Sequence, residues 1–328
     1  MQVIKVLSIF CTLVICTWAS HFFDQEWNIW KSKYGKTYAN MDEELLRRQT
    51  WEDTWHKVQK HNELADQGLS TYRMAMNHFA DMTGKELKKR GCLLSSELPS
   101  NVPTYSYGTH TDLPEHVDWR DSKCVTHVKN QGSYCGSCWA FATVGVIETR
   151  LCIKNNELVD LSEQQLVDCD PVDLGCCGGL PIFALMYVAE QGIMKTEDYQ
   201  YTEKKTSCSY NMDEAMQLNI SKYYLVPGEE NIASSVALEG PITVGFGVDI
   251  DFMFYSEGIF DGDCSTHPNH AIIILGYGTE HDDEDEDNEY WIIKNSWGEE
   301  WGEKGFGRIK RNINKCFIAE LAATFDIM

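Results

Sequence analysis

QGSYCGSCWAFA, residues 131–142, sets two cysteines three apart directly before an apolar run. The spacing fits three chemistries: a redox pair, half of a metal site, or a nucleophile beside a structural disulfide. The stretch from Ser137 to Ile153 is apolar and helical, so Cys138 falls at a helix N-terminus and Cys135 in the turn before it. A helix N-terminus lowers a thiol's pKa through its dipole, and a neighbouring imidazolium lowers it further. No strand upstream supplies the βαβ context of a thioredoxin-like pair, and the adjacent Cys176 and Cys177 match a zinc site's second pair poorly.

The chain downstream offers the partners a nucleophile needs. Of ten histidines, most of those in residues 56–127 lie in an N-terminal block or its linker. His270 stands where the turn STHPN enters HAIIILGYG, a rim position from which an imidazole can face a cleft. Asn295 ends YWIIKN, and Trp297 beside it can lie over the imidazole and shield a hydrogen bond that fixes its tautomer. Cys138, His270 and Asn295 thus compose a nucleophile, a base and an orienter.

Around these residues the periodicity changes along the chain. LSEQQLVDC (161–169) begins a helix capped by Ser162, and 180–191 supplies another. Strand signals follow at 242–248, 270–277, 290–295 and 306–310, separated by Gly-rich turns. A helix-rich half before a strand-rich half predicts an α+β domain of two lobes with a cleft between them, where ligand sites concentrate.

Toward the N-terminus, residues 21–90 read as helical. Phe23, Trp27, Trp30 and Tyr34 form one stripe; Arg47, Trp51, Trp55, Val58 and Asn62 form a second within 43–67, before Gly68. Thr83 with Glu86 three residues on is a capping box for a third helix. The segment LLSSELPSNVPTYSYGTHTDLPEHVDW reads as an extended linker and a candidate cleavage region. Residues 1–19 read as a signal peptide: Lys5 precedes an apolar run too short for a membrane span, and Thr17, Trp18 and Ala19 precede the cut. An oxidising compartment follows, in which cysteines pair.

Charge divides the chain at the linker. Up to Asp112 there are 13 basic and 13 acidic residues; from Leu113 onward there are 15 and 37. So acidic a surface excludes nucleic acid as a partner and tolerates low pH. Seven acids in HDDEDEDNE (281–289) read as a solvated loop, since the spacing and glycine of an EF-hand are absent.

QGSYCGSCWAFA, LSEQQLVDC, GCCGG, NHAIIILGYG and NSWGEEWGEKGFGRI together resemble the signature segments of the papain family of cysteine proteases, in the family's order. Glu43, Arg47, Trp51, Val58 and Asn62 resemble the interrupted helix motif of cathepsin L-type propeptides, with Thr54 where an asparagine is usual; AMNHFAD (75–81) resembles the second propeptide motif. The resemblance implies a two-lobed papain-like fold, divided as signal peptide 1–19, inhibitory propeptide 20–112 and peptidase domain 113–328. It implies an endopeptidase acting on proteins and peptides, with Cys138 as nucleophile, His270 as acid/base, Asn295 as its orienter and Gln131 in the oxyanion hole. Gly178 and Gly179 match the glycines that pair with an extended substrate. Leu180, Pro181, Gly245, Pro268 and Leu321 match an uncharged pocket for the second residue upstream of the cut, which favours Leu, Phe or Val there.

The same resemblance implies disulfides Cys135–Cys176, Cys169–Cys208 and Cys264–Cys316, and a cathepsin B-like bridge Cys124–Cys152. Cys177 is then expected to be a buried thiol, and Cys92 a discarded one, unless a link retains a propeptide fragment as in cathepsin H. No cofactor and no metal are implied. Expected partners are the chain's own propeptide and cystatin-like inhibitors, without stable membrane insertion, and the destination is the lysosome or the cell exterior. Asn219, in NIS, is a glycosylation acceptor by motif. Low pH is expected to loosen the propeptide as carboxylates lose charge, with a cut near residues 109–114.

One departure concerns the opening stretch itself. The turn holds one residue more than the family's usual spacing, with Tyr134 as the extra one, and this leaves open whether Gln131 still reaches the oxyanion. A larger insertion there occurs in the carboxypeptidase-like cathepsin X, so an exopeptidase is the alternative. The short chain between Cys176 and Cys208 leaves no room for an occluding loop like that of cathepsin B. A catalytically disabled binding homologue would lack one of the three reactive residues.

Overall fold

The computed structural model describes residues 22–88, 93, 98, 102–107, 112–281 and 287–328. The proposed leader, Cys92 and residues 109–111 of the expected cut lie outside them. Helix α1 spans residues 22–33 and α2 spans Met41–Asp66. Asn40 caps α2, its Oδ1 accepting from Glu43 N at 2.9 Å, and three acids in the first turn suit the positive end of the dipole. The two aromatic stripes close on each other. Trp27 stacks on Trp30 with centroids 5.4 Å apart and meets Trp51 at a steep angle at 5.7 Å, all three buried. A buried ring of that size stabilises by roughly 2–3 kcal/mol, more than an exposed ion pair, so packing and not charge holds this block together.

Strand β1 (Tyr72–Met74) and helix α3 (Gly84–Lys88) complete the N-terminal block. The capping box forms as expected: Glu86 Oε2 accepts from Thr83 N at 2.8 Å, and Thr83 Oγ1 accepts from Glu86 N at 3.4 Å.

Beyond it, helix α4 (Cys138–Asn155) is buried on all faces from Cys138 to Cys152 and forms the spine of the helical lobe, with α5 (Glu163–Cys169) and α6 (Pro181–Gln191) against it. Ser162 caps α5, its Oγ accepting from Gln165 N at 3.0 Å. The second lobe is built on strands, with β2 (Val117–Asp118) preceding both lobes in sequence. It continues through β3 (Ile220–Leu225), helix α7 (Glu229–Leu238), β4 (Ile242–Phe246), helix α8 (Ile250–Met253) and β5 (Tyr255–Phe260). Four more strands follow: β6 (His270–His281), β7 (Asp287–Lys294), β8 (Phe306–Lys310) and β9 (Ala322–Ile327).

The sheet order is β1-β5-β8-β7-β6-β4-β9-β3, with β2 on β6; the β5–β8 pair is parallel and the others antiparallel. β1 comes from the N-terminal block, with Tyr72 opposite Gly258. The two lobes have separate cores. One gathers Trp139, Leu166, Leu185 and Ile273; the other gathers Phe246, Phe252, Trp291 and Trp301 and is continuous with Trp27, Trp30, Trp51 and Phe79. The N-terminal block is therefore packed into the strand lobe.

Two sequence expectations are corrected. The acidic run is not all loop: β6 reaches His281 and β7 starts at Asp287, with Glu280 opposite Asn288. A hairpin end in water tolerates such charge, since Glu280 and His281 are exposed. The linker's last residues are also part of the sheet, as Val117 and Asp118 pair with Tyr277 and Gly276.

Candidate active site

Cys138 is the first residue of α4, fully buried and outside all four disulfides. Its Sγ accepts from Ala271 N at 3.4 Å. His270, one residue before Ala271, opens β6, so the strand lobe brings the imidazole and that amide to the helix terminus together. His270 Nε2 donates to Asn295 Oδ1 at 2.8 Å, while the buried Nδ1 makes no hydrogen bond. That bond assigns a proton to Nε2 and leaves Nδ1 to exchange one. Asn295 Oδ1 also accepts from Ser296 N at 2.8 Å, which fixes the amide's orientation. Trp297 stacks on His270 with centroids 4.6 Å apart and planes at 27°, and it is itself buried. Water is thereby kept from the imidazole–amide bond, which strengthens it.

Gln131 is buried beside this group. Its Nε2 donates to Cys135 O at 3.2 Å, and its Oε1 accepts from Ser296 Oγ at 2.7 Å. Its backbone is tied as well: its N–H donates to Ser296 O at 2.8 Å, and its O accepts from Tyr201 Oη at 2.8 Å. Tyr134 points away, 88% exposed, so the extra residue bulges into solvent while both ends of the turn stay anchored. The turn is closed by Cys135–Cys176 and by Glu203, whose Oε1 accepts from Ser133 N at 2.9 Å. Glu203 lies where a Cβ on residue 132 would be, and φ there is +75°, so glycine is required.

All four disulfides implied by the resemblance are closed: Cys124–Cys152, Cys135–Cys176, Cys169–Cys208 and Cys264–Cys316. Cys177 is a correction. It is exposed rather than buried, because the short turn Gly175–Cys177 turns Cys176 inward to its bridge and its neighbour outward.

Gly178 and Gly179 lead into α6, which Leu180 precedes and Pro181 opens. Leu93 of the linker forms a parallel bridge with Gly179, and its N–H donates to Asn269 O at 3.1 Å. Its side chain fills the apolar hollow: a Cβ on Gly245 would lie 2.9 Å from Leu321, 3.2 Å from Pro268 and 3.2 Å from Leu93 Cδ1. Leu93 thus lies beside Gly245, Pro268 and Leu321, with Leu180 and Pro181 at the start of α6.

Between the lobes, behind the site, lies a charge cluster that the sequence did not reveal. Lys129 reaches Glu148 and Glu163 at 2.7 Å each and Asp160 at 2.6 Å. Burial pushes Lys294 down to about 8 and holds Glu163 above the carboxylate range. Ser296, Tyr201 and Leu93 were also missed; only side-chain direction shows what they touch. Among the described residues no group of three or more His, Cys, Asp or Glu is placed to hold a metal, and no helix is long and apolar enough to cross a membrane.

Residues 113–325 match the papain family cysteine protease domain, and residues 27–87 match the cathepsin propeptide inhibitor domain (I29). The chain is 38% identical to Mus musculus cathepsin K over 310 residues, covering 92% of each. It is 37% identical to Bos taurus cathepsin S over 307 residues, covering 90% of each. Among solved structures, the digestive procathepsin L2 proteinase of Tenebrio molitor larval midgut superposes with a TM-score of 0.85 at 36% identity, over 92% of this chain and 99% of that one. Digestive procathepsin L 3 of the same source gives 0.83 at 34%, over 92% and 98%.

Proposed function

This chain belongs to the papain family of cysteine proteases, with a propeptide that inhibits the protease in the same molecule, and on that premise we propose that it is an endopeptidase zymogen with Cys138, His270 and Asn295 as its catalytic residues. The observation that carries this reading is the placement of His270: Asn295 holds its Nε2, Trp297 covers it, and its neighbour's amide touches the Cys138 sulfur. The Cys138 thiolate attacks the scissile carbonyl carbon and the carbonyl electrons move to oxygen. Cys138 N–H and the Gln131 side chain stabilise that oxyanion. The His270 imidazolium gives its proton to the leaving amine, and an acyl-enzyme thioester remains. Neutral His270 then takes a proton from water, the hydroxide adds to the thioester, and the released thiolate restores the ion pair.

Gly178 and Gly179 pair with an extended substrate on this reading, and Leu180, Pro181, Gly245, Pro268 and Leu321 form an apolar pocket for its second upstream side chain. Leu93 in that hollow supports the preference. An unpaired guanidinium there faces a large desolvation cost. The division into 1–19, 20–112 and 113–328, entry to the secretory pathway with lysosomal or extracellular delivery, glycosylation at the exposed Asn219 and inhibition by cystatin-like proteins belong to the same proposal. The test is alkylation of the processed enzyme with iodoacetamide. Two thiols are available, Cys138 and the exposed Cys177, so loss of hydrolysis must follow modification of Cys138 and survive Cys177→Ser. Full activity with Cys138 alkylated overturns the assignment.

A further inference from the structure

We infer that the outer edge of β3, with the adjoining part of α7, is a second peptide-binding site outside the cleft, and that residues 102–107 of the propeptide stay on it after the chain is cut. The inference rests on the reading that the cut falls beyond Tyr107.

The segment is seated as an added strand. β3 ends the sheet, with β9 as its one neighbour there. Leu225 of β3 gives both of its backbone groups to the segment: its N–H donates to Pro103 O at 3.0 Å and its O accepts from Tyr105 N at 2.8 Å, a parallel bridge opposite Thr104. An extended peptide laid on an open sheet edge takes affinity from such main-chain bonds and specificity from its side chains.

The side chains are held as well. Tyr105 packs on Tyr107 and on Tyr224 of β3, with ring centroids 4.5 and 4.9 Å apart. Tyr107 N donates to Asn231 Oδ1 at 2.9 Å, and Asn231 is itself fixed, since its Nδ2 donates to Pro227 O at 2.8 Å. The Tyr107 hydroxyl is buried beside Ser235 and Glu239, at the C-terminal end of α7. Val102 is buried in the core that holds Leu218 and Phe325.

This seat is separate from the cleft. Leu93 is bridged to Gly179, and eight residues lie between it and Val102. In the sheet, β4 and β9 stand between β3 and β6, the strand that His270 opens. A peptide on β3 therefore leaves Cys138 and His270 uncovered. A cut beyond Tyr107 severs the segment from the peptidase domain and breaks none of these contacts. Losing the segment, in contrast, opens an apolar socket at Val102 and unpairs the edge of β3. Vacating the cleft and releasing the propeptide are thus two events, and the occupant of the second site is an extended strand with tyrosines two residues apart.

The test uses processed enzyme whose N-terminus, read by mass, lies beyond Tyr107, and a fluorescent peptide of residues 101–108, NVPTYSYG. With Cys138 blocked by a peptidyl chloromethyl ketone that fills the cleft, fluorescence anisotropy should show saturable binding at one site. Replacing Tyr105 or Tyr107 of the peptide by Ala should weaken it about tenfold or more, the loss of a packed ring. N-methylation of the peptide's Tyr105 amide should weaken it about threefold or more, the loss of one backbone bond, and Asn231→Ala in the enzyme should do the same. Saturating peptide should leave tripeptide hydrolysis by unblocked enzyme within about twofold, as no coupling joins the two sites. Absence of saturable binding, equal binding of the Ala peptides, or competitive inhibition of hydrolysis would overturn the site. A mature N-terminus at or before Tyr107 would instead overturn the reading of the cut, and the inference with it.

Discussion

Phe79 meets Trp297 nearly perpendicular, with ring centroids 5.3 Å apart and planes at 85°. Trp297 is the ring that covers His270, the proposed acid/base, so the propeptide packs onto that ring and not only along the cleft. Phe79 is fully buried, and truncating such a residue costs about 3–5 kcal/mol. Full-length precursor carrying Phe79→Ala should therefore hydrolyse a peptide at neutral pH faster than the parent precursor, with the processed enzymes identical. Equal precursor rates would show that the contact does not contribute to latency.

The propeptide's own fold should be less sensitive to acid than its count of carboxylates suggests. Arg47 donates to Glu86 at 2.6 and 2.8 Å and holds that carboxyl down to about 2. A lowered acid pKa gives stability that is present above the unfolded value and lost only as pH falls through the folded one. The melting-temperature difference between the precursor and its Glu86→Gln variant should be constant from neutral to about pH 5, shrink below about pH 4 and vanish near pH 2. A difference that disappears by pH 5 would place the release step at this pair.

Gln131 is held on both its amide and its backbone, with Tyr134 outside the network. Gln131→Ala should lower kcat by roughly a hundredfold or more, a loss of about 3 kcal/mol typical of an oxyanion donor. Deleting Tyr134 should change kcat only modestly. Cys138→Ala should abolish hydrolysis without lowering the melting temperature of the precursor. A Gln131→Ala enzyme within twofold of the parent would mean that other donors hold the oxyanion.

Peptides differing only at the second upstream residue should be cleaved with kcat/KM in the order Leu, Phe or Val well above Arg. Leu321→Glu should narrow or invert that order, since a carboxylate at the base of the pocket would pair the guanidinium. Wild-type preference for Arg would refute the pocket assignment.

The parts of this molecule written in short-range pattern were legible in its sequence. The aromatic stripes gave α1 and α2, the capping pairs at Thr83 and Ser162 gave helix starts, and Cys138, His270 and Asn295 could be picked out by residue type and position. What escaped was set by neighbours. β1 is three residues long and exists because β5 pairs with it. β9 begins with buried Ala322 and Ala323, a weak strand signal, and is fixed between β4 and β3. Asp170 and Asp173 give no sequence signal, because nothing in their spacing shows that one oxygen of each is buried without a partner. Cys177 was misjudged for the opposite reason: its type favours burial, but its disulfide-bonded neighbour decides which way it faces.

The pairing of β1 with β5 has a cost that falls due at maturation. Once the propeptide is removed, the backbone groups of β5 that faced Tyr72–Met74 become an unpaired sheet edge, the kind of surface on which copies of a chain add to one another. Several features blunt it. Only a few residues are uncovered, the register slips between Arg73 and Met74, Gly258 adopts φ +90°, and Glu257 places a charge on the exposed rim. The strongest protection is collective, because nearly all the excess negative charge lies beyond Leu113 and makes matured copies repel. That repulsion weakens as carboxylates protonate, so the uncovered edge is least guarded when the medium is acidic.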